Sequence, residues 1–212
     1  MRSRYLAAAA VALTMAVAAG VASAQNYPTR PVRVLIPFPI GSAADIIARA
    51  MEPTLREKLG QSLVMDNRGG AGGNIAAELC AKSAPDGYTI MMGTIGTHAI
   101  NFSLYAKVNY HPQRDFTPIA LVGESPNVLV LPPRMQVNSI KELIALAKAN
   151  PGKLNYGSSG AGTSVHLAGE FFGSMAGVKV VHVPYKGATE ALTALLGGQT
   201  DFMFASLSSA IP

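Results

Sequence analysis

Apolar and polar positions alternate between two periods along this chain. Val32-Arg33-Val34-Leu35-Ile36 is a short β-rich run that stops at Pro37. From Asp45 to Leu59 the period lengthens, with Ile46, Ile47, Met51, Leu55 and Leu59 predicted on one helical face and Gly60 as the stop. Ser62 to Met65 reads as a strand, Gly69 to Gly73 as a loop, Asn74 to Ser83 as a helix and Tyr88 to Met92 as a strand after the Pro85-Asp86-Gly87 turn. Strand and helix in alternation predict a parallel sheet covered by helices.

Thr117 to Leu131 breaks this rhythm. It holds two apolar runs, around Pro118 to Val122 and Val128 to Leu131, with no helix between them. It reads as extended chain crossing from one domain to another. Ser139 then caps a helix running to Asn150, with Glu142 as a capping-box partner. Leu154 to Tyr156 reads as a strand, Gly157 to Gly162 as a loop and Thr163 to Met175 as a helix. Val178 to Val183 (strand), Glu190 to Leu196 (helix) and Asp201 to Phe204 (strand) follow.

The first residues stand apart. Arg2 and Arg4 precede the apolar run Leu6 to Gly20, and Ala22-Ser23-Ala24 is a small-x-small cleavage pattern. Residues 1–24 therefore read as a secretory signal peptide cut after Ala24, with export to the periplasm. The run is Ala-rich and shorter than the roughly 20 residues a membrane span needs. No membrane insertion is expected after cleavage.

Charge adds little. Of 212 residues, 14% are charged and 49% hydrophobic, which excludes a disordered chain. The formal charge is +5, and loss of Arg2 and Arg4 lowers it to +5 − 2 = +3. The remaining basic residues are scattered, so nucleic acid is not an expected partner. The single cysteine, Cys80, excludes an internal disulfide framework.

Two loops share a design suited to an anion. Pro37 to Asp45 and Tyr156 to Thr163 each lead from a strand into a helix, with glycine and hydroxyl residues at the entrance. Helix-start N–H groups favour an anion, and glycine lets it approach. In open α/β sheets the ligand crevice lies at the carboxyl ends of the strands. Either loop could equally be an ordinary turn. Asp45 could bind ligand or complement its helix start, and His166 could donate to ligand or pack.

Enzyme motifs mostly fail. Gly157, Ser159 and Ala161 miss the last glycine of a nucleophile elbow. Val165 and Ile75 stand where dinucleotide loops need a third glycine. His98, His111, His166 and His182 lack helical metal spacing. No cofactor or metal is expected and the chain is not read as an enzyme. A small serine hydrolase using Ser159 and His166 is a remote alternative.

An ordered series of motifs resembles a known family. It includes Tyr27-Pro28-Thr29-Arg30-Pro31, Pro37-Phe38-Pro39 with Gly41 and Asp45-Ile46-Ile47-Ala48-Arg49, then Asn67-Arg68, Gly70-Ala71-Gly72-Gly73-Asn74 and Pro85-Asp86-Gly87-Tyr88. Tyr110-His111-Pro112, Gly160-Ala161-Gly162-Thr163 with His166-Leu167, and His182-Val183-Pro184-Tyr185-Lys186-Gly187 complete it. The pattern is similar to the Bug family, periplasmic solute receptors of tripartite tricarboxylate transporters. The resemblance implies an α/β, type II periplasmic binding-protein fold of two Rossmann-like lobes with crossing strands, residues 25–122 and 123–212. It implies a monomer that captures a small carboxylate for membrane transporter subunits. A dicarboxylate, tricarboxylate, acidic amino acid or aromatic acid would fit. By position it points to Phe38, Gly41, Ser42, Ala43 and Asp45, to Ser158, Ser159, Gly162, Thr163 and His166, and to Tyr185, Lys186 and Gly187 near the mouth. Ser42 and Ala44 depart from the family's usual glycine and hydroxyl or amide residues, Ile40 from its Pro or Ala, and Gly69 from its Pro. Family members continue past Pro212 and return to the first lobe. The sequence therefore also reads as a C-terminally truncated fragment with bare apolar surface, which would bind nothing if defective.

Overall fold

The computed structural model describes residues 27–211. The signal-peptide reading over residues 1–24 lies outside them. Two sheets carry the fold. The first has the order β2-β1-β3, made of β1 (Val32–Ile36), β2 (Leu63–Asn67) and β3 (Thr89–Met91), all parallel. Between them run α1 (Ala43–Leu59) and α2 (Asn74–Ala81), the latter entered through a 3₁₀ turn at Ala71–Gly73. After β3 comes a π-helical turn over Gly96–Ile100 that continues into α3 (Asn101–Leu104).

The second sheet has the order β4-β7-β5-β6, made of β4 (Asn127–Val130), β5 (Asn155–Ser158), β6 (Val181–Pro184) and β7 (Phe202–Ser206). β5 pairs parallel with β6 and β7, while β4 runs antiparallel to β7. Its helices are α4 (Ile140–Ala149), α5 (Ser164–Ala176), α6 (Ala188–Leu196) and the short α7 (Leu207–Ala210).

Burial explains this layering. β1 is central in its sheet, so Val34, Leu35 and Ile36 are all buried, as a parallel strand covered on both faces requires. α1 lies against Val34 and Ile36 through Ala44, Ala48 and Leu55. The face predicted from Ile46 and Leu59 is displaced, for both are exposed. Small Ala44 and Ala48 bring the helix close to the sheet, and Ile46 and Leu59 fall outside the contact. In the second sheet Leu143, Ala147, Tyr156, Phe172 and Phe202 form one core cluster, and Val165, Ala191, Leu195 and Met203 form another on the opposite face.

The crossing segment is only half a strand. Its second apolar run forms β4, but residues 117–126 carry no regular element. Ile119 and Leu121 in it are 80% and 82% exposed.

Candidate functional site between two helix entrances

The parallel strands of each sheet end at loops that meet elements of the other sheet. In the first loop, Gly41 takes a left-handed φ of 83° and Ser42 caps α1, its Oγ accepting the Asp45 N–H at 3.3 Å. Asp45 is 1% exposed. Its Oδ2 accepts the Gly41 N–H at 3.0 Å, and its Oδ1 accepts Arg49 Nε–H at 2.9 Å and Asn67 Nδ2–H at 3.0 Å. Asn67 also donates to the Phe38 carbonyl at 2.9 Å. Burial alone would raise the Asp45 carboxyl, but the hydrogen bonds from Arg49, Gly41 and Asn67 overcome it and hold it below the usual carboxylate value. Of the two roles weighed for Asp45, the geometry carries the structural one: its oxygens are occupied by protein donors.

In the second loop, Thr163 caps α5. Its Oγ1 accepts the His166 N–H at 3.3 Å and donates to the Gly160 carbonyl at 2.7 Å. Ser158 is fully buried at the end of β5, and its Oγ accepts the Gly160 N–H at 3.1 Å. Gly160 and Gly162 have φ of 121° and 83°. A third entrance follows β6. There the Lys186 N–H donates to Glu190 at 3.0 Å, and Gly187 opens α6. Helix geometry leaves the first-turn N–H groups of α1 (Ala43, Ala44) and α5 (Ser164, Val165) without intrahelical acceptors. Neutral donors and helix dipoles are thus what both loops offer an anion.

The hydrogen bonds across the seam run from side-chain hydroxyls to backbone carbonyls. Tyr105 Oη donates to the Ala161 carbonyl at 2.9 Å, Thr189 Oγ1 to the Ile40 carbonyl at 3.4 Å and Ser209 Oγ to the Gly41 carbonyl at 3.4 Å. Gly162 lies against Asn101 Oδ1 so closely that a Cβ would overlap it. That oxygen is buried and has no hydrogen-bond partner among the described residues, while Asn101 Nδ2 donates to the Gly72 carbonyl and Asn74 Oδ1.

The anticipated residues form two groups. Tyr185, Lys186 and Gly187 line a cleft of about 840 Å³ with Pro39, Ile40 and Asn67. Gly41, Ser42, Asp45, Ser158, Gly162, Thr163 and His166 build the loops instead. Among the described residues no hydrogen bond joins Ser159 to His166, whose Nδ1 accepts the Gly162 N–H at 3.2 Å. The histidine paired with a serine is His182, 2.6 Å from Ser158 Oγ. Sequence reasoning missed Asn67, Asn101 and His182 as parts of the loops. Their signal was an amide or imidazole at a strand end or beside a glycine loop.

Residues 47–212 match the family described as tripartite tricarboxylate transporter family receptor. The chain belongs to that receptor family. BugT of Bordetella pertussis is 38% identical over 197 residues, which is 92% of this chain and 60% of BugT. The solved structure of R. palustris Rpa4515 with adipate superposes with a TM-score of 0.86 at 40% identity, covering 88% of this chain and 62% of that one. MatC (Rpa3494) from Rhodopseudomonas palustris with bound malate gives 0.82 at 33%, covering 88% and 63%. The receptor chain here thus spans about three-fifths of the length of the curated relatives it matches. Its fold is that of the periplasmic binding proteins, such as BugD, and its family and neighbours are binding proteins rather than enzymes. Among the described residues no helix is long and apolar enough to cross a membrane.

Proposed function

We propose that this receptor captures a small dicarboxylate between its two lobes, residues 25–122 and 123–212, and delivers it as a monomer to the membrane subunits of a tripartite transporter, without catalysis. Export would follow cleavage after Ala24. The observation that carries the reading is the pair of capped helix entrances, Ser42 on α1 and Thr163 on α5, each met by elements of the opposite sheet. Phe38, Gly41, Ser42 and Ala43 would face one end of the ligand, and Ser159, Gly162 and Thr163 the other. Asp45, Ser158 and His166 would support them from behind, and Tyr185, Lys186 and Gly187 would sit at the mouth. Adipate and malate in the two neighbouring structures support a dicarboxylate.

Calorimetric titration of the chain with adipate, malate, a tricarboxylate and an acidic amino acid tests this. Saturable binding of a dicarboxylate is expected, weakened severalfold to about tenfold by Thr163→Ala, since losing the cap frees the His166 N–H and the Gly160 carbonyl and loosens the α5 entrance by about 1 kcal/mol. No heat with any member, from a sample that melts cooperatively, overturns it. A sample without a cooperative melt returns the reading to a defective fragment.

A further inference from the structure

The Thr163 cap accounts for one end of the second loop; its other support is a column of rings. β7, β5 and β6 bring Phe202, Tyr156 and His182 side by side in parallel register. The rings stack, Phe202 to Tyr156 at 5.6 Å and Tyr156 to His182 at 5.0 Å between centroids. His166, from the first turn of α5, completes the column on His182 at 4.1 Å. Glu170, one turn further along α5, accepts the Tyr156 hydroxyl hydrogen at 2.6 Å and lies 3.8 Å from His166 Nε2.

Each imidazole turns one nitrogen to the loop. His166 Nδ1 accepts the Gly162 N–H, which requires that this nitrogen carry no proton. His182 Nε2 holds Ser158 Oγ, which accepts the Gly160 N–H. The two glycine N–H groups of the loop are thereby engaged on its inner side. The bond from Gly162 fixes His166 as a neutral ring, and burial with the neighbouring imidazole favours a neutral His182. Burial lowers His166 despite Glu170, and burial together with His166 brings His182 down to about 4.

We propose that His166 and His182 are positioning residues of the ligand loop: a stacked, neutral pair of acceptors that engages the Gly162 N–H directly and the Gly160 N–H through Ser158, leaving the α5 entrance free for a carboxylate. This rests on the reading that the Gly160–Thr163 loop receives the ligand. The groups facing the pair are Tyr156 from β5 and Glu170 from α5, while β7 contributes the uncharged Phe202.

The test uses the full chain with two readouts. His182→Phe keeps a ring in the stack and removes the acceptor; Ser158→Ala removes the relay. Adipate affinity measured by calorimetry is expected to fall about tenfold in each, and by no more in the double variant, because both break one linkage. Amide exchange at Gly160, measured without ligand, is expected to accelerate at least about tenfold in both, as it does where a protecting bond opens. His182→Gln, which restores an acceptor at the same reach, is expected to bring both readouts back toward wild type. Unchanged Gly160 exchange in His182→Phe, or additive affinity losses, overturns the proposal. Failure of the wild type to bind adipate overturns the ligand reading instead, and Gly160 exchange still decides the positioning role.

Discussion

Asp45→Ala separates the two roles this carboxylate could have. If Asp45 holds the first loop together, the damage is to stability. Removing it strips the part-buried Gly41 N–H of its acceptor and takes one of two acceptors from Asn67 Nδ2, which keeps the Phe38 carbonyl. The Gly41 bond is charge-assisted, and its loss costs about 1.5–3 kcal/mol. The Arg49 pair adds only about 0.5 kcal/mol, because the guanidinium is half-exposed and retains Asn67 Oδ1. Loss of the acidic group from the first turn of α1 adds about 0.3–1 kcal/mol. The sum, about 2–4 kcal/mol, corresponds to a Tm lowered by roughly 10 °C in a chain of this size. Scanning calorimetry reads the Tm, and titration with adipate reads the ligand. Asp45→Asn is expected to lose nearly as much, since its amide must turn a donor toward another donor. A Tm within about 1 °C of wild type together with abolished binding would refute the reasoning, because that is the signature of a direct ligand contact.

Acid should weaken the fold through His182. Its folded value near 4 lies below its ordinary 6.5, so the unfolded chain binds the extra proton. That stability is present above pH 6.5 and is lost as pH falls toward 4, by on the order of 2–3 kcal/mol; urea midpoints at pH 7 and 4.5 should differ less in His182→Phe. Gly162→Ala forces a side chain into left-handed backbone and onto Asn101 Oδ1. It should hold the lobes apart, read as a larger radius of gyration by small-angle scattering, and an unchanged radius with full adipate affinity would count against the seam. Gly169→Ala drives a Cβ into the Tyr156 ring, which its neighbours pin, and should cost about 1–3 kcal/mol by overpacking. Gly177→Ala, with open space around it and a φ of 62°, should cost about 1 kcal/mol from the backbone alone.

Legibility in the sequence followed where side chains did the packing. β1 and α1 were readable because an apolar run and a terminal glycine fell where the structure uses them, although α1 begins two residues before Asp45, behind a Ser42 cap the periodicity did not reveal. Ser139 was found as a cap, its Oγ accepting the Glu142 N–H; the Glu142 carboxylate, however, reaches the Asn138 N–H, one residue before the cap. The π-helical turn and α3 were missed because their buried face is Gly96, Thr97 and Asn101, while Ile95, Phe102 and Leu104 point outward. Apolar periodicity is silent when a helix buries glycine and amide. β5 was ended too early for a related reason. Gly157 and Ser158 look like loop residues, yet they pair with Val183 and Pro184 in β6, and only the neighbouring strand reveals that.

The same blindness explains why the loops were located but their wiring was not. Glycine-rich entrances are visible as composition, and they lie at the strand ends where the sequence placed them. What fixes them comes from elsewhere in the chain: Asn67 from the end of β2, His182 from β6, Asn101 from a helix with no apolar signature. None of these residues has a spacing relation to the loop it holds: register between parallel strands brings Asn67 and His182 there, and the packing of α3 brings Asn101. This has a consequence for specificity. Backbone N–H groups at two helix entrances favour any small carboxylate about equally. If this chain takes a diacid as proposed, discrimination between a four-carbon and a six-carbon one would arise from how far apart the entrances are held, and the close glycine approaches of the seam, Gly72 against Ala161 and Gly162 against Asn101, would set that separation. Substitutions at the seam should therefore change which diacid fits more than substitutions at the caps, which should weaken all of them together.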